Sequence, residues 1–119
     1  MMLDWTDFPD APQSGAKLCD AVDVPDAGVL SVLIDDFPVL VMFAGSAVRA
    51  FVNACPHQFL PLDLRAGEIL SVDGQHLLCS NHTAMFRASD GLGVAGEGLG
   101  CALSAIPVEI RGAGIFIQG

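Results

Sequence analysis

The sequence predicts an all-β fold, an antiparallel sandwich or partly open barrel, on three observations. Gly, Pro and Asp punctuate the chain from Pro9 to Gly114. Short β-branched and aromatic runs lie between these breaks, at the spacing of a strand-rich domain. Helical periodicity is scarce: Leu62–Leu70 offers one turn at most, and Gly67 weakens it. At 119 residues the chain is read as one domain over its whole length, 1–119, large enough to bury a core.

Taken in order, Val29–Ile34 is the first strand. Asp35-Asp36 turns it into Phe37–Phe43, where Pro38 demands a strand start or an edge position. Ala44-Gly45-Ser46 is a second turn, and Val48–Asn53 returns from it. His76–Cys79 is a short strand after the Asp73-Gly74 turn signal, and Met85–Ala88 ends at a third hairpin signal, Ser89-Asp90-Gly91. Residues 91–100 hold five glycines and read as a loop that turns tightly or approaches something closely. Ser104–Arg111 and Ile115–Gln118 flank a Gly112-Ala113-Gly114 turn and pair as a closing hairpin, with Pro107 at an edge or bulge.

Composition excludes several classes of function. The net charge is −9, with 5 basic against 14 acidic side chains, which opposes nucleic-acid binding and docking on anionic lipid. Mean hydropathy is high, at +0.54, yet charges, Pro or Gly interrupt every apolar run short of a membrane span. The N-terminus lacks a basic stretch before an apolar one, so no signal peptide is read and a cytoplasmic location is expected. The charge is uneven. Residues 1–36 carry eight Asp and one Lys, so an acidic, loop-rich entry segment is expected over 1–28. That acid serves solubility, or a face that steers a basic partner.

The chemistry concentrates in two short motifs, Cys55-Pro56-His57 and Cys79-Ser80-Asn81-His82, with 21 residues between His57 and Cys79. Each follows an apolar strand end, Phe51-Val52 or Leu77-Leu78. Two loops leaving neighbouring strands can gather two thiolates and two imidazoles around a metal or small cluster. Three readings compete: a structural Cys₂His₂ zinc, a mononuclear iron site of two His and a carboxylate, and a [2Fe–2S] cluster with Cys on one iron and His on the other. The iron oxygenase site is the poorest fit, since the chain has only three His and the Cys would be idle. Cys19 and Cys101 read as buried free thiols, His76 as a strand-exposed or satisfied histidine rather than a ligand, and Trp5 as an anchor for the N-terminal segment.

Cys-x-His followed by Cys-x-x-His, each leaving a strand, resembles the Rieske iron–sulfur domain. Asn53-Ala54 before Cys55, Leu62, Phe86, Asp90-Gly91 and the late Leu103-to-Val108 segment share the texture of that family, and the likeness spans about residues 29–118. It implies a Rieske-like β sandwich or partly open barrel with a small cluster-binding subdomain, whose loops cover about residues 53–62 and 79–91. It further implies a [2Fe–2S] cluster with Cys55 and Cys79 on one iron and His57 and His82 on the other. Two departures stand out. Thr83 occupies a position where the family usually has Gly, and the spacing between motifs is long, which points to an insertion in Asp63–Gln75.

High-potential members of the family carry a disulfide between the two loops and hydroxyl donors to the cluster sulfurs. The matching positions here are Leu60 and Asn81 for the disulfide and Ala84 for the Ser, and the chain has no Tyr. Fewer hydrogen bonds to sulfur imply a low-potential centre. Pro56, Phe59, Leu60, Pro61, Leu62, Ala84, Met85 and Phe86 surround the ligands in sequence. They are read as a wrapping that excludes water, with Phe59 and Met85 as candidates for a docking surface. The resemblance implies an electron carrier like the ferredoxin component of ring-hydroxylating oxygenase systems, with a reductase and a terminal oxygenase as redox partners. Two alternatives stand beside it: a small subunit of a reductase or oxygenase complex, and a structural Cys₂His₂ zinc module.

Overall fold

The computed structural model describes residues 5–8, 11–25, 28–44, 47–54, 76–78, 85–88, 90–95 and 102–118. Ten strands run through them: β1 (Lys17–Asp20), β2 (Leu30–Ile34), β3 (Phe37–Ala44), β4 (Ala47–Val52), β5 (His76–Leu78), β6 (Met85–Arg87), β7 (Gly93–Ala95), β8 (Ala105–Ile106), β9 (Val108–Arg111) and β10 (Gly114–Ile117). They form three antiparallel sheets, ordered β1-β10-β9, β2-β3-β4-β8 and β5-β6-β7. The expected all-β class holds. Short 3₁₀ turns at Trp5–Asp7 and Ala21–Asp23 are the only helical pieces among the described residues, and no helix there is long and apolar enough to cross a membrane.

The four-stranded sheet is a middle layer. Along β3 the side chains alternate between two cores, as strand geometry requires. Phe37, Val39 and Val41 join Ala50 and Val52 of β4, Ile106 of β8, Leu18 of β1 and Ile115 and Ile117 of β10 in one core. Leu40 and Met42 face the other way, with Phe51 of β4, Leu77 of β5, Phe86 of β6, Ala88 and Leu103. A strand buried on both faces must be apolar at every position, and Val39–Met42 are all fully buried. The β1-β10-β9 sheet therefore covers one face, and the small β5-β6-β7 sheet covers the other.

The turns follow the expected chemistry, with refinements. Asp35 and Asp36 lie at φ 49° and 71° and join the paired ends Ile34 and Phe37, as a two-residue type I′ hairpin requires. Pro38 is second in β3; its carbonyl accepts the Asn53 N–H at 3.0 Å, and the ladder with β4 begins only at Val39↔Val52. Its missing N–H thus falls at the ladder's end. Pro107 does more than occupy an edge: it parts β8 from β9, and the chain passes from one sheet to the next. Gly114 belongs to β10 rather than to the turn.

Two further strands depart from the expectation of loops. β1 lies inside the acidic entry segment and pairs with β10, because Leu18 alternates inward (5% exposed) while Lys17 and Asp20 face out as an ion pair of 2.7 Å. β7 lies inside the glycine-rich run. Trp5 anchors the N-terminal segment as expected, at 7% exposure in the larger core. The possible turn at Leu62–Leu70 lies outside the described residues.

The Asp35-Asp36 turn holds two L-residues in the left-handed region, which costs about 1 kcal/mol or more each. Replacing Asp35 by Asn and Asp36 by Gly is expected to raise stability by roughly 1 kcal/mol. The measurement is the urea midpoint at unchanged slope; a lower midpoint would contradict the turn assignment.

Candidate metal centre

β4 ends at Val52, and the chain then bends. Ala54 N–H donates back to the Val52 carbonyl at 2.8 Å, the i→i+2 bond of a γ-turn centred on Asn53. Asn53 is the one buried polar residue among the described residues, at 3% exposure. No buried side-chain nitrogen or oxygen among them lacks a partner, so the Asn53 amide is satisfied. This bend delivers the chain to Cys55.

On the second side, β5 and β6 form a hairpin with register His76↔Arg87, Leu77↔Phe86 and Leu78↔Met85. Residues 79–84 join the paired ends, so Cys79 directly follows Leu78 and His82 precedes Met85 by three positions. The alternation of the short strands is plain: Leu77 and Phe86 are fully buried, while Leu78 and Met85 are half-buried. Leu77 and Phe86 share one core with Phe51, which stands four residues before Cys55. The two strands that lead into the motifs are thus held by the same three side chains.

A backbone relay reinforces that packing. Gly91 N–H donates to the Arg87 carbonyl at 2.7 Å, and Leu103 N–H donates to the Gly91 carbonyl at 2.8 Å. Val52 N–H then donates to the Ser104 carbonyl at 2.9 Å. The relay runs from β6 to the last residue of β4. The sequence points to Gly91 as part of a hairpin signal and of a run that turns tightly or approaches something closely, but not to Phe51 and Leu103 as the surfaces it meets.

The β6–β7 turn is fixed by charge. Arg87 donates from Nε to Asp90 Oδ1 at 3.1 Å and from Nη2 to Oδ2 at 2.5 Å, and Leu92 N–H donates to Oδ1 at 3.0 Å. The Arg87 hydrogen bond, with help from the Leu92 N–H, holds the Asp90 carboxyl below the usual carboxylate range. Both side chains are about half exposed (45% and 49%), so the pair is screened by solvent. His76, the cross-strand neighbour of Arg87, is half-buried, as expected for a satisfied strand residue. Cys19 is free and half-buried, and burial pushes its thiol pKa up.

Cys55, His57, Cys79 and His82 lie outside the described residues, as do Phe59, Leu60, Asn81, Thr83, Ala84 and Cys101. Of the apolar set near the ligands, Met85 and Phe86 are described. Phe86 is core rather than wrapping at the surface, whereas Met85 is half-buried at the hairpin end. Among the described residues no group of three or more His, Cys, Asp or Glu gathers to hold a metal. The donor set therefore rests on the motifs, two thiols and two imidazoles on segments that leave strands of one shared core. That chemistry fits a binuclear iron–sulfur centre with soft thiolates on one iron and neutral imidazoles on the other.

Comparison with known proteins bears on the family and the fold. The model of the Rieske [2Fe-2S] domain matches residues 15–103. No curated protein matches the chain. Among solved structures, the ferredoxin of carbazole 1,9a-dioxygenase from Nocardioides aromaticivorans IC177 is 20% identical with a TM-score of 0.73, covering 89% of this chain and 98% of that one. The Sphingomonas yanoikuyae B1 ferredoxin is also 20% identical with a TM-score of 0.73, covering 89% and 99%. A chain in the complex of reduced oxygenase and oxidized ferredoxin in carbazole 1,9a-dioxygenase is 21% identical with a TM-score of 0.71, covering 91% and 95%. At such identities the structural likeness speaks to the fold.

The Arg87–Asp90 pair yields a prediction with a definite sign. A carboxyl whose folded pKa is depressed stabilises the fold above its unfolded value, about 3.9, and loses that stabilisation as pH falls through the folded value. Wild type should therefore melt above Asp90→Asn at pH 6, and the gap should close as the pH is taken to about 2. Thermal unfolding across that range checks it; a gap that widens in acid would refute the assignment.

Proposed function

The chain belongs to the Rieske [2Fe-2S] domain family, which binds a [2Fe–2S] cluster, and we propose that it is a one-electron carrier. It acts as a single Rieske domain over residues 1–119. It resembles the ferredoxin component of a ring-hydroxylating oxygenase system, taking electrons from a reductase and passing them to a terminal oxygenase in the cytoplasm. Cys55 and Cys79, as thiolates, hold one iron, and His57 and His82, through neutral imidazole nitrogens, hold the other. The observation that carries this reading is the core shared by Phe51, Leu77 and Phe86, on the strands that adjoin both motifs.

When bound, the cluster supplies a one-electron couple, in the range of roughly −150 to +300 mV for this ligand class. The chain's own residues set where in that range it falls. Imidazoles in place of thiolates reduce the negative charge at the site and raise the potential above that of all-Cys centres. Ala84 at the hydroxyl position and the absence of Tyr withhold hydrogen bonds from the sulfurs, which favours the oxidised form and lowers the potential. The fully buried Leu77 and Phe86 make the floor beneath the hairpin apolar and dry. Half-buried Met85 supplies apolar surface at the hairpin end where a partner docks.

Purified protein should be red-brown, bleach on dithionite and contain iron and acid-labile sulfide in equal amounts. His57→Ala and His82→Ala should each abolish the Rieske spectrum while their apoproteins keep the β-rich circular dichroism. A redox titration should give a midpoint below about +150 mV. A colourless chain that carries zinc would overturn the carrier in favour of a structural metal module.

A further inference from the structure

Gly91 stands where the small β5-β6-β7 sheet meets the middle sheet. Its φ is +78°, and a Cβ built on it would lie 2.8 Å from Phe51 Cε1, 3.1 Å from the Leu103 carbonyl oxygen and 3.2 Å from Leu103 Cβ. Real Cβ atoms essentially never lie within 3.0 Å of a heavy atom outside their own and adjoining residues. The Phe51 ring is 1% exposed and packed in the smaller core, so moving it disturbs closely packed neighbours. The backbone on both sides is tied: Gly91 N–H to Arg87, and Gly91 carbonyl to Leu103 N–H. Any side chain here must push the β6–β7 turn away from Phe51.

Phe51 precedes Cys55 by four residues, and the β6 strand that Gly91 ties down follows His82 by three. A shift across this contact therefore displaces β6 against the exit of β4, the described strands next to the two motifs. We propose that Gly91 is a positioning residue for the cluster: its bare Cα lets the hairpin bearing Cys79 and His82 approach the β4 exit bearing Cys55 and His57 closely enough for one binuclear centre. This inference rests on the carrier reading above. It assigns to Gly91 a task beyond the turn, in which its left-handed backbone and its hydrogen bond to Arg87 already take part.

The fold contains its own controls. Gly112 lies at φ +59° with nothing within 4 Å of its would-be Cβ, so Gly112→Ala carries the backbone strain alone. Gly114→Ala carries the overlap alone, 2.7 Å from Phe116 Cε1, in the β1-β10-β9 sheet on the opposite face of the middle layer. The test measures wild type, Gly91→Ala, Gly112→Ala and Gly114→Ala in the cluster-loaded form. The readouts are thermal unfolding, the electron paramagnetic resonance g values of the reduced protein, and the rate of iron loss to a chelator.

All three variants should melt below wild type. Only Gly91→Ala should shift the g values and lose iron faster, on the order of tenfold, the scale of altered support around metal ligands. Adding Phe51→Leu to Gly91→Ala should restore part of both, because the ring edge that a Cβ would strike is removed. Should Gly91→Ala not fold, Phe51→Leu alone carries the test, since it loosens the same contact and should shift the g values. Unchanged g values and iron retention in Gly91→Ala, or in Phe51→Leu where that stands in, would overturn the positioning role. So would equal changes in Gly112→Ala or Gly114→Ala. A wild-type chain without the Rieske signal would instead overturn the carrier reading itself.

Discussion

The contact between Phe51 and the Leu77–Phe86 pair is the constraint on which the rest of the molecule depends. β5 and β6 are three residues each, and a hairpin that short is not stable alone in water. It exists because Leu77 and Phe86 are removed from solvent against Phe51, Leu40 and Met42. Burying side chains of this size contributes about 1.5–3 kcal/mol each. The backbone relay through Gly91, Leu103 and Ser104 adds direction, since hydrogen bonds fix a register that apolar packing leaves free. Packing supplies the affinity of the small sheet for the large one, and the relay supplies its position.

That arrangement explains a composition that is unusual for a chain of this size. A small domain with one core would show β3 as an alternation of apolar and polar residues. Here β3 serves two cores, so Val39, Leu40, Val41 and Met42 are all apolar and all fully buried. β4 repeats the device over fewer residues, with Ala50 and Val52 on one side and Phe51 on the other. The high mean hydropathy is the signature of this doubly covered middle layer. The charges are displaced accordingly to turns, edges and the entry segment.

What the sequence made legible follows from how local each signal is. The β2–β3–β4 meander and the β9–β10 hairpin are joined by short turns whose residues announce themselves, as Asp35-Asp36 does. β1 was not legible: a strand of four residues with one inward side chain, Leu18, has no pattern to show, and its partner β10 lies almost a hundred residues away. β7 was hidden because its pairing partners, Met85 and Phe86, provide the apolar contact that Gly93 itself lacks. Pro107 was legible as an interruption, but that it parts two sheets is a property of the tertiary path. The donor residues stood out by type and spacing, whereas the tight approach that makes Gly91 necessary depends on Phe51, forty positions earlier.

The acidic charge acquires two locations that differ in consequence. Asp20 and Asp23 lie at the end of β1 and in the turn after it, on the layer that faces away from the small sheet. Lys17 already neutralises part of that group through Asp20, whose hydrogen bond raises the Lys17 pKa. Asp35 and Asp36 lie elsewhere: they open β3 at the end where β4 closes, as the Pro38–Asn53 hydrogen bond shows, so they share the end of the sheet from which the chain departs toward Cys55. Both are exposed, so their field reaches only about 8–10 Å at physiological salt. Within that range negative charge opposes addition of an electron and attracts a cationic surface. Asp35 and Asp36 thus place exposed negative charge at the end of the sheet from which the chain departs toward Cys55, whereas Asp20 and Asp23 lie on the far layer.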